Sequence, residues 1–155
     1  MKVKALSQKN YPAECINPVT KKNEMCVFTD VQMICETMLD FEWPQDLFYR
    51  LQVKSGAINK YGYVNSYERA FETAAKNRKW YSWPIKKDWF FTTDLKVIIK
   101  AVQDRPAILF LGGHAVLAVE YLASRGMFYV IDPNTDINNS PTLLTRPIKK
   151  AGFFV

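Results

Sequence analysis

The chain has 155 residues and a net charge of +6, enough length for one domain, residues 1–155, that buries about 70% of the surface exposed by its unfolded state. No apolar run approaches the roughly 20 residues needed to span a membrane. Met1–Gln8 lacks the apolar core of a signal peptide, so the expected setting is cytoplasmic. Three cysteines at irregular spacing and a single histidine fit no zinc pattern, so no metal or other cofactor is expected and at least one thiol stays free.

Residues 1–25 are turn-rich, with Asn10-Tyr-Pro12, Asn17-Pro18 and Lys21-Lys22, and predict an irregular lead-in. Val27, Val31, Ile34, Met38 and Leu39 recur at helical spacing, predicting a helix from about Cys26 with a buried stripe. Glu24 and Asp30 lie near its start, where a helix dipole favours negative charge. Pro44 is suited to the first turn of a second helix that runs to about Val53 and stops at Ser55-Gly56. Asn65-Ser-Tyr-Glu68 has the form of a capping box for a third helix through about Lys76.

The aromatic and basic segment 77–91 predicts a strand and a loop. Thr92-Thr93 is the expected cap of a fourth helix, ended by Asp104-Arg-Pro106. Three short apolar runs follow, separated by Gly112-Gly113 and Ser124-Arg-Gly126, as in successive strands with tight connections. Phe153-Phe-Val suggests a last strand. Helices first and an antiparallel sheet afterwards read as α+β.

His114 opens the second of these strands, and Asp132 closes the third before Pro133. If the two strands pair as a hairpin, the imidazole and the carboxylate become neighbours. An oriented histidine then needs only a nucleophile. Cys26 is the best candidate, because a helix start and an adjacent histidinium both stabilise a thiolate. Cys35 lies further along the same helix, and Cys15 sits in the lead-in where nothing fixes its geometry. The plainer alternative is a packed cysteine and a packed histidine without chemistry.

The order Cys-then-helix, His-then-strand and Asp-Pro resembles the papain-like cysteine peptidases, most closely the small branch typified by the leader-peptide peptidases of bacteriocin exporters and their stand-alone relatives. Cys26-x-x-Thr29-x-x-x-Met33 is similar to that branch's nucleophile helix. Asp94-Leu-Lys, Arg105-Pro-Ala-Ile-Leu and Gly113-His114-Ala-Val-Leu-Ala-Val are similar to its helix, strand and histidine strand, and Val130-Ile-Asp132-Pro133 to its aspartate turn. The likeness covers about residues 7–155.

It implies a papain-like fold, a Cys26–His114–Asp132 triad, a peptide or protein substrate, and an upstream glutamine for the oxyanion. Gln8 is the candidate and Asn23 the nearer substitute. Eighteen residues separate Gln8 from Cys26, longer than the family's interval, so the lead-in must loop out around Pro12–Lys22. Val27 and Glu24 also depart from the family pattern around the cysteine. The second function class is a lapsed papain-like fold that binds a peptide or protein.

Other signals point elsewhere. Lys76, Arg78, Lys79, Lys86 and Lys87 interleave with Trp80, Tyr81, Trp83, Trp89, Phe90 and Phe91, a composition that also binds single-stranded nucleic acid or a membrane interface. A strand with aromatics inward and cations solvated explains it more simply, and nucleic acid is not the expected partner. Asp40, Glu42 and Asp46 read as caps and solvated charge. The Asn134–Ser140 loop, with Asp136, Asn138 and Asn139, lacks the ligand order of a calcium loop.

Overall fold

The computed structural model describes residues 2–78, 87–134 and 141–155. The helices are α1 (Cys26–Leu39), α2 (Gln45–Ser55), α3 (Tyr67–Asn77) and α4 (Leu95–Asp104). The strands are β1 (Trp89–Thr92), β2 (Ala107–Phe110), β3 (Ala115–Leu122), β4 (Met127–Ile131), β5 (Thr142–Leu143) and β6 (Lys150–Phe154). They form one antiparallel sheet in the order β1-β6-β2-β3-β4-β5. The α+β class is as expected.

The sheet is buried on both faces because its strands alternate. Ile108, Ala115, Leu117, Ile131 and Phe154 join the core made with α1, α2 and α3. Ala107, Leu109, Val116, Ala118, Val130 and Phe153 join a second core under α4. Successive side chains of a strand point to opposite faces, so continuous apolar runs in β2 and β3 serve two layers at once.

The expected stripe on α1 is too narrow. Val31, Ile34 and Leu39 are buried while Val27 and Met38 are only half-buried, but Phe28, Met33 and Cys35 are buried as well. A helix that is covered all round is a core helix, and α1 is the central one. Its buried polar groups tie down the chain around it. Gln32 accepts from the Tyr11 hydroxyl at 2.8 Å and donates to the Trp43 carbonyl at 3.0 Å. Glu36 accepts from the Trp43 N–H at 2.8 Å.

Several helix ends differ from expectation by a residue. Pro44 is the N-cap of α2, and Gly56 in the left-handed region is its C-cap. Ser66, not Asn65, caps α3 by accepting from the Arg69 N–H. Asp94 caps α4 in place of Thr92-Thr93, accepting from the Lys96 N–H. At Ser66 and Asp94 the chosen oxygen lies where it satisfies an otherwise unpartnered N–H of the first turn. Asp40 is the left-handed C-cap of α1, and Glu42 pairs with Lys4 at 2.8 Å on the surface.

The last strand is longer than expected and lies inside the sheet, with β1 on one side and β2 on the other. Of the aromatic–basic segment, 79–86 lies outside the described residues, as do 135–140, which hold Asp136, Asn138 and Asn139. Trp89 is half-buried and stacks on Tyr67 with ring centroids 4.1 Å apart, whereas Phe90 and Phe91 remain exposed rather than turning inward. Among the described residues, no helix is long and apolar enough to cross a membrane.

Candidate functional site

The site is built where the start of α1 meets the β2–β3 turn and the end of β4. Gly112 and Gly113 both have positive φ, at 82° and 77°, and the Leu111 N–H donates to the His114 carbonyl at 2.9 Å. This is the two-residue hairpin turn whose twist matches the flanking strands and which needs left-handed conformations at both central positions. It sets His114 immediately before β3. The pairing of Leu117 with Ile131 then brings the end of β4 alongside. Asp132 follows directly, and its carboxylate meets the imidazole: His114 Nε2 lies 2.7 Å from Asp132 Oδ1. The same oxygen accepts from the Asn134 N–H at 2.9 Å, which holds the carboxylate on the turn.

The thiol approaches from the helix layer. Cys26 is the first residue of α1 and is half-buried, while Cys15 and Cys35 are buried. The sulfur is served by the backbone N–H groups of Ala115, the residue after His114, and of Val27 and Cys26 itself. The sulfur therefore lies beside the residue that follows His114, and no hydrogen bond joins sulfur and ring among the described residues. Catalytic hydrogen bonds are often long before substrate binds.

One expectation about this thiol is overturned. A helix start beside a histidine predicts a lowered pKa, but burial and then the Asp30 charge push the Cys26 thiol up, and the three N–H groups offset this only in part. Burial and the Asp30 charge therefore work against a thiolate at Cys26. Because Nε2 faces a carboxylate it carries the ring proton, which leaves Nδ1 as the base.

Gln8 and Asn23, the two candidates for the oxyanion, turn out to be partners. Gln8 Nε2 donates to the Asn23 carbonyl at 3.2 Å and to Asn23 Oδ1 at 3.3 Å. Asn23 Nδ2 returns a bond to the Gln8 carbonyl at 2.9 Å, and Asn23 Oδ1 accepts from the Met25 N–H at 3.0 Å. The Gln8 N–H donates to the Pro133 carbonyl at 2.8 Å. Gln8 thus links the aspartate turn to the residues that enter α1. The excursion between them forms a loop, with a short 3-10 turn at Ala13–Cys15 and a turn centred on Asn17. In this state the Gln8 amide is engaged by Asn23, so donation to an oxyanion requires it to turn.

An open groove of about 870 Å³ runs beside the site. Its walls include Val27, Tyr67, Trp89, Phe91, Phe110 and Lys150, with Glu24 and Glu68 supplying acid. Glu24 and Val27 flank the Met25-Cys26 step, but Cys26, His114 and Asp132 do not line it. The candidate triad therefore adjoins this groove without lining it. Lys150 sits over the Phe91 ring, 4.4 Å from its centroid. Glycine is required at 152 because a Cβ there would collide with the Trp89 indole.

Asp30 escaped the sequence reading. It is fully buried at a helix start, and among the described residues neither carboxylate oxygen has a hydrogen-bond partner. An acid four residues after the nucleophile candidate, on the same helix face, was the available signal. Among the described residues, no group of three or more His, Cys, Asp or Glu is placed to hold a metal ion. Comparison of the chain with protein-family models, with curated proteins and with solved structures finds no match.

Proposed function

We propose that this chain is a cysteine hydrolase of papain-like fold that cleaves peptide or isopeptide bonds by acyl transfer through Cys26, His114 and Asp132. The observation that carries this reading is the meeting of an imidazole fixed by a carboxylate at 2.7 Å with a helix-start thiol served by the next residue's N–H. His114 Nδ1 takes the thiol proton as the sulfur attacks the carbonyl carbon. The tetrahedral oxyanion is held by the Cys26 N–H and the Gln8 amide. His114 then protonates the leaving amine, and a thioester remains. Water attacks it, giving a proton to His114, and that proton returns to sulfur as the acid leaves. Asp132 holds the tautomer throughout. The groove beside Val27 offers an aromatic wall to a peptide substrate.

Two observations favour a second reading, a binding module that has lost its chemistry: the thiol is raised, and the Gln8 amide is occupied by Asn23. Cys26→Ala separates the two. Hydrolysis of a peptide library by the parent, abolished in a folded Cys26→Ala variant, supports the enzyme. Peptide binding by both, with no turnover by either, overturns it. Iodoacetamide should label Cys26 well before the buried Cys15 and Cys35, at a rate that climbs with pH above neutrality. Equal labelling of all three thiols would contradict the site.

A further inference from the structure

The most unusual group near the site is one that the hydrolytic scheme does not use. Asp30 lies four residues after Cys26, so the two side chains share one face of α1 a turn apart. It is fully buried, and among the described residues both its oxygens lack a hydrogen-bond partner. An ionised carboxylate in that position is costly, and a native protein seldom leaves such an atom unexplained.

The charges around it make matters worse, not better. Asp132, from the end of β4, acts on Asp30 as a like charge. Asp30 in turn opposes ionisation of Cys26 on its own helix, of Tyr67 on α3 and of Tyr11 in the lead-in. All four of these groups are acids, and the base of the site, His114, is engaged by Asp132 at 2.7 Å.

We propose that Asp30 is a positioning residue and the second titrating group of this site, an internal carboxylic acid whose negative charge and the Cys26 thiolate exclude one another. Burial, and then Asp132, hold its carboxyl well above the ordinary range. While Asp30 keeps its proton, the sulfur can carry the negative charge. Once Asp30 ionises, the charge is already spent one turn below the sulfur, and thiolate formation is driven to higher pH. The pair titrates in two macroscopic steps that belong to neither residue alone. This gives the site a built-in alkaline brake, and it rests on Cys26 being the reactive thiol.

The test follows Cys26 alkylation by iodoacetamide against pH, in the full-length protein and in Asp30→Asn, whose side chain imitates the neutral acid. The variant should show a single titration step with its midpoint lower by about one pH unit. It should match the parent in the most acidic part of the range. Superimposable profiles from two folded proteins would overturn the proposal. Asp30→Ser is the second neutral variant should the asparagine amide disturb folding. Carboxyl NMR of aspartate-labelled parent protein gives a reading without any variant: one aspartate should remain protonated near neutrality, and a fully ionised set would refute the idea. None of these readouts needs turnover. Failure of hydrolysis and failure of the brake are therefore separately visible.

Discussion

A histidine does little until something decides which of its nitrogens holds the proton. Asp132 decides it here, from 2.7 Å, and is itself steadied by the Asn134 N–H. Asp132→Asn would keep the shape while removing the charge that selects the tautomer and stabilises the imidazolium. Turnover should fall about 10²–10⁴-fold with little change in KM, as measured by steady-state kinetics on a hydrolysed peptide. A uniform rise in KM instead would assign Asp132 to binding. At this scale the sequence was informative about placement wherever a candidate residue coincides with chain punctuation: His114 after two glycines, Asp132 before a proline, Cys26 at a helix start. It misled over Asp30. The position of an acid along a helix is visible in one dimension, but whether that face meets water depends on what packs against it. Gln8 and Asn23 were both singled out as candidates, yet their mutual hydrogen bonds arise from a loop closure that no local pattern encodes.

Among the elements, the β2–β3 hairpin bears most on the site, because its turn fixes where His114 begins. A Cβ on Gly113 would touch nothing within 4 Å, so Gly113→Ala introduces backbone strain without a clash. The left-handed conformation should cost about 1–2 kcal/mol, read as a lower midpoint in chemical denaturation, with activity reduced through displacement of His114. A substitution without effect on either would mean that the turn is not the determinant. The three central strands and the four helices were legible because their periodicity and punctuation agree. Helix caps slipped by a residue, since several oxygens compete within one turn and tertiary packing selects among them. The two-residue β5 carries too little pattern to be noticed. The interior position of β6 depends on a long-range pairing that its own composition does not reveal.

For the molecule as a whole, the balance between burial and charge shapes its response to pH. Burial raises the carboxyl pKa values of both Asp30 and Glu36, the latter despite hydrogen bonds from Trp43 and Gln32 that lower it. When the folded pKa exceeds the unfolded one, the native state holds the extra proton. Stability is then greatest below the unfolded carboxyl range of about 4 and is lost as pH climbs through the raised values. Thermal denaturation across a pH series should show Asp30→Asn gaining on the parent as pH rises from that range, the two converging in acid. A constant difference would assign the effect to packing. The α+β class and the order of helices before sheet were readable from patterning alone. Which strand neighbours which was not, because strand order is settled by closure between distant segments.

The place of β6 between β1 and β2 has a consequence in time. During synthesis, α1 and its cysteine leave the ribosome early, and the histidine and aspartate hairpin much later. Even then β1 lacks β6, its sheet partner among the described residues, until residues 150–154 emerge. A nascent chain halted before that strand holds every proposed reactive group but lacks the strand that joins β1 to the rest of the sheet. The groove wall formed by Trp89, Phe91 and Lys150 is therefore completed only when β6 joins the sheet, after every other element of the fold has been made.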